Sequence, residues 1–124
     1  GVREQLPAQD AQALHFADIM IQNLEISGEA NDNAGYISLR DRLMAENAMW
    51  VLDQEKVHGN DCIFIAGHNG HIEQNGSYDK DNKVMGALLA DELGDAYFAI
   101  GTDFYKTSCN LPKIIRRRFI SFSV

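Results

Sequence analysis

With 124 residues and 45% hydrophobic content, the chain is sized for one domain with a modest core. Its formal charge of −7 understates the acidity of the body, because residues 1–112 carry seven basic against eighteen acidic side chains while Lys113, Arg116, Arg117 and Arg118 gather in the tail. An acidic body repels phosphate backbones and argues against a nucleic-acid partner; no apolar stretch is long enough to span a membrane and no basic-then-apolar leader opens the chain, so cytoplasm is the expected compartment.

From Pro7 to about Ile26, Ala13, Phe16, Ala17, Met20 and Leu24 recur at three and four residues, with His15, Asp18, Gln22 and Glu25 opposite them. This spacing predicts an amphipathic helix whose polar side, His15 included, meets solvent. Ser27 to Gly35 lacks periodicity and reads as a loop. Ser38, followed three residues later by Asp41, resembles a capping box and opens a second helix to about Lys56, with Leu43, Met44, Ala48, Val51 and Leu52 as its apolar stripe. Arg40 and Asn47 are seven apart and share a helical face, as either a solvated edge or a pair turned into a site.

Cys62 to Ala66 is uniformly apolar between Asn60-Asp61 and Gly67, the pattern of a strand buried on both faces. Residues 67–83 form a long polar connection, of the kind that carries function. Asp81 or Asn82 is placed to cap a third helix lined by Met85, Leu89 and Leu93 and ending at Gly94; Tyr97 to Ile100 then reads as a second strand. Strand, helix and strand in that order predict an α/β fold with helices on a short, mainly parallel sheet and a right-handed crossover. After Pro112 the pattern weakens, with Phe119 to Val124 alternating like an edge strand. Cys62 and Cys109 have neither the spacing of a metal knuckle nor the density of a disulfide scaffold, and read as reduced thiols.

The densest chemistry lies in the run Phe64, Ile65, Ala66, Gly67, His68, Asn69, Gly70, His71, Ile72, Glu73, which puts two histidines and a carboxylate in a turn directly after an apolar strand. Imidazoles exchange protons near neutral pH, which suits acid/base work on an ester. Gly67 and Gly70 would let the backbone curl so that the two rings meet, and Asn69 would hold the turn by a side-chain to backbone hydrogen bond. Three readings of the turn stay open: metal-independent acid/base chemistry, a metal site formed by the two histidines with Glu73, and a purely structural turn. His58, without a partner in sequence, reads as surface.

Taken with Arg40, Asp41, Met44, Ala45 and Asn47 upstream, Trp50, and then Met85-Gly86, Leu93-Gly94 and Tyr97 to Gly101 downstream, this run resembles the erythromycin esterase family. The resemblance covers roughly Ser38 to Cys109, and divides the chain into a helix and linker (1–37), a family-like segment (38–110) and an atypical tail (111–124). It implies a carboxylic-ester hydrolase, best known for opening macrolide lactones; no cofactor or metal is expected. By the same resemblance His68 and His71 are the paired site histidines with Glu73 beside them, and Arg40, Asn47 and Asn69 face the substrate. The family's N-terminal threonine-histidine-glycine motif, which carries the catalytic base, does not occur here. The expectation is therefore a partial domain, inactive alone, whose partner is either the missing half or a second copy paired through its strands; a non-catalytic oligomerising domain is the alternative class, and a histidine metal-binding protein the other.

Overall fold

The structure, a computed structural model, describes residues 8–29 and 33–103. The tail and its basic cluster, Cys109 and Pro7 lie outside the described residues. Among the described residues four helices follow in chain order: α1 (Ala8–Gly28), α2 (Asn33–Val57), the single turn α3 (Asn69–Ile72) and α4 (Met85–Leu93), the last running into a 3-10 turn at Gly94–Ala96.

The core is the seam between α2 and α4. Leu43, Ala45 and Leu52 from α2 are buried, as are Met85, Ala87 and Leu89 from α4 with Val84 just before it. Ala45, Met85 and Leu89 form the centre of the cluster, on which Met44, Ala48, Met49, Ile72 and Tyr97 pack. Alanines at 45 and 48 let the two helices approach, and the longer side chains interdigitate around them. Gly86 serves a different contact. A Cβ there would stand 2.3 Å from the Ile72 carbonyl carbon, so α4 passes directly over the backbone of α3. Tyr97 completes the hold on that turn, its hydroxyl donating to the Ile72 carbonyl at 2.7 Å.

The α/β expectation is overturned: among the described residues there is no strand and no sheet, only an isolated antiparallel bridge between Ser77 and Lys83. Residues 61–68 and 97–103 run outside any regular element, with Phe64 90% and Phe98 83% exposed. The residue types are those of buried strands, yet a strand is defined by a neighbour's hydrogen bonds, and neither segment has one. What joins them is a side chain, since Asn69 donates through Nδ2 to the Thr102 carbonyl and accepts from the Thr102 N–H through Oδ1. Between them, α2 and α4 lies a cavity of about 680 Å³ lined by Leu52, Ile63, Ile65, Leu89 and Tyr97 among others.

The faces of α1 are the reverse of expectation. The stripe of Ala11, His15, Asp18 and Gln22, mostly polar, is the sheltered one, whereas Ala13, Phe16, Ala17, Met20 and Leu24 are exposed, Met20 at 71% and Leu24 at 72%. The reason lies in α2, which offers flat and polar surfaces at that contact. The His15 ring stacks on the Trp50 indole with centroids 3.7 Å apart and planes within 5°, and Asn47 donates to Gln22 Oε1 at 2.8 Å. His15 is thus a buried packing residue and not a solvated one.

α2 also begins earlier than the Ser38 capping box would place it. Inside the helix, Ser38 donates its hydroxyl to Asn82 Oδ1 at 2.6 Å, and Asp41 is released from any capping duty. Asn82, so engaged, does not cap α4, whose N-cap is Val84.

Candidate functional site

α2 and α3 meet at one histidine. His71, on α3, reaches back across thirty residues of sequence to Asp41, its Nδ1 lying 2.7 Å from Oδ1 of a carboxylate that is 0% exposed. Its other nitrogen, Nε2, lies 3.2 Å from Arg40 Nη1. Adjacent residues on one helix therefore hold the two edges of one ring. Tyr78 adds a third group, donating its hydroxyl to Asp41 Oδ2 at 2.5 Å and passing 3.3 Å from His71 Nδ1.

The loop carrying Tyr78 owes its shape to Asp79. That carboxylate accepts from the backbone N–H groups of Asp81 and Asn82 and from the Asn82 side chain, at 2.9, 3.0 and 2.7 Å. These bonds, the Asn82 side chain foremost, hold the Asp79 carboxyl below its ordinary range. The Tyr78 N–H donates to the Asn82 carbonyl at 2.8 Å, which closes the loop and sends the phenol toward Asp41. Burial, then the hydrogen bond to Asp41 and its negative charge, push the Tyr78 phenol up to about 12, with Arg40 pulling the other way. Tyr78 consequently stays a proton donor throughout the neutral range.

His68 occupies the N-cap of α3. Its Nδ1 accepts from the Gly70 N–H at 3.1 Å, and the exposed ring stands 6.3 Å from His71 at an interplanar angle of 71°. The backbone curls here as a helical turn, without a positive φ at Gly67 or Gly70.

Of the residues singled out from sequence, Arg40, His68 and His71 come together at the junction of α2 and α3. Glu73 is exposed and bonds to neither imidazole; the carboxylate that orients His71 is Asp41. Asn47 points to Gln22 on α1 and leaves its own Oδ1 buried without a partner. Asn69 is occupied by the Thr102 backbone. His58 is exposed, with Nδ1 2.8 Å from the Gln54 carbonyl oxygen. As site residues, Asp41 and Tyr78 escaped the sequence reading. Asp41 stood there only as a capping partner of Ser38 and as a member of the Arg40 to Asn47 run, flanked by Arg40 and Arg42; Tyr78 gives no local signal, because it arrives from a loop.

Among the described residues no group of three or more histidine, cysteine or carboxylate side chains is arranged to hold a metal ion. No described helix is long and apolar enough to cross a membrane. Comparison with curated proteins and with solved structures returned no match. A sequence-family profile described as Erythromycin esterase matches residues 3–116, nearly the whole chain and the whole of the site. The chain belongs to the erythromycin esterase family.

Proposed function

We propose that this chain supplies the histidine-bearing part of a site that hydrolyses carboxylic esters or macrolide lactones. The observation that carries the reading is the assembly of Arg40, His68 and His71 by two separate elements, with a fully buried carboxylate behind them. Hydrolysis develops negative charge on the carbonyl oxygen, and a guanidinium near an exposed imidazole is suited to stabilise it. The apolar cavity adjoining α3 through Asn69 and Ile72 gives the body of an ester or lactone a surface to lie on. Activation of the attacking water needs a base within hydrogen-bond reach, and in this reading that base comes from the family's threonine-histidine-glycine segment, which this sequence does not contain.

Incubation with erythromycin and with simple activated esters tests the proposal. The chain alone is expected to match background. Joined to a segment carrying the missing motif, it is expected to turn over, and His68→Ala with His71→Ala to lose about 10²- to 10⁴-fold. Turnover that survives the double substitution would overturn the reading.

A further inference from the structure

The two histidines differ in what their neighbours permit. Arginine in a protein has donors only, so the nitrogen facing Arg40 Nη1, His71 Nε2, must accept. A carboxylate oxygen only accepts, so the nitrogen facing Asp41 Oδ1, His71 Nδ1, must carry the proton. Both edges of the ring give the same answer, the Nδ1–H tautomer. At His68 the order is reversed: Nδ1 accepts from the Gly70 amide, which leaves the proton on Nε2 at the exposed edge.

The geometry points to a division of labour in which His71 is a positioning residue that holds the Arg40 guanidinium, while His68 presents its Nε2–H to the ligand. His71 has no free nitrogen in this arrangement, as one is spent on Asp41 and the other on Arg40. Asp41, His71 and Arg40 make a continuous line of hydrogen bonds from a buried carboxylate to a half-buried cation, and Tyr78 closes the second oxygen of that carboxylate. Arg40 forms no ion pair with a carboxylate among the described residues, so its other N–H groups are left for an oxyanion. The use of these donors on an ester rests on the hydrolase reading; the tautomers themselves do not.

The decisive measurement is long-range proton–nitrogen NMR on the unliganded 124-residue chain, followed across neutral and mildly alkaline pH. His71 is expected to show a protonated Nδ1 and a lone-pair Nε2, and His68 the opposite pattern. His71 found with its proton on Nε2, or with both nitrogens protonated throughout, overturns the assignment, as does a His68 protonated on Nδ1. As a second arm, Asp41→Ala, which removes the acceptor facing Nδ1, is expected to loosen the His71 ring, lower the population of its Nδ1–H form and broaden the Arg40 guanidinium signals, while the N–H pattern of His68 stays as it was. A D41A protein with unchanged His71 and Arg40 signals would remove Asp41 from the line. If that variant does not fold, the unsubstituted chain still decides the tautomers. Because no substrate is present, failure here is separate from failure of the erythromycin assay.

Discussion

Asp41 and His71 share a 2.7 Å hydrogen bond between the middle of α2 and a four-residue turn, and the carboxylate has no exposure to solvent. A buried charge persists only when its oxygens are satisfied, and here each oxygen has a donor: His71 on one, Tyr78 on the other.

Asp41→Ala is therefore expected to destabilise the chain by about 1–3 kcal/mol, the usual cost of leaving buried partners unsatisfied. Urea unfolding followed by circular dichroism reads this as a lower midpoint at unchanged slope. A midpoint equal to the parent's would mean that water replaces the carboxylate without loss.

For Tyr78 the test is pH. Its phenol lies at about 12 in the folded chain against 10.0 ordinarily, so the folded state favours the protonated form. Its contribution to stability is complete below about pH 10 and is lost as pH rises through about 12. Tyr78→Phe is expected to lower stability at neutral pH and to flatten that alkaline window, which phenolate absorbance and melting temperature together would show.

Gly86→Ala presses a methyl group into the α3 backbone, 2.3 Å from the Ile72 carbonyl carbon and 2.4 Å from its oxygen. Backbone on both sides leaves no flexible end to yield, and a loss of about 1–3 kcal/mol is expected. The same substitution should alter the His71 NMR signals, since α3 moves with Ile72.

Chelation separates the acid/base reading from the metal reading. With Nδ1 bonded to Asp41 and Nε2 to Arg40, His71 has no lone pair to offer a cation. The melting curve is expected to be the same with and without EDTA, and elemental analysis to find no stoichiometric zinc or iron. One metal per chain, lost on His71→Ala, would show that Arg40 gives way to it.

Sequence brought Arg40 and the histidine run into view together but misjudged the fold. The histidine run and Arg40 were legible because their types and spacing are local, and the structure sets Arg40 against His71. Asp41 was legible only as a capping partner for Ser38, since nothing local says that a helix will begin at Asn33 and bury it. Cys62 to Ala66 and Tyr97 to Ile100 have strand composition, but pairing depends on a neighbour that no single segment encodes. α1 shows the limit most plainly: periodicity announces two faces, and whether Phe16 or His15 turns inward is decided by Trp50 and Asn47, which lie more than thirty residues away from His15.

The way α3 is gripped sets how the site opens. Ile72 is pressed by Gly86 from one side and bonded to Tyr97 from the other, while the His71 and Ile72 N–H groups both donate to the His68 carbonyl, at 2.9 and 3.3 Å. A surface turn of four residues would ordinarily exchange its amide hydrogens freely. Here both amides donate to the His68 carbonyl in a turn held by α4 and Tyr97, so their exchange is expected to be slower than in an unsupported turn. The lifetime of the histidine geometry is then expected to follow the packing of Met85 and Leu89 on Ala45, which holds α4 against α2.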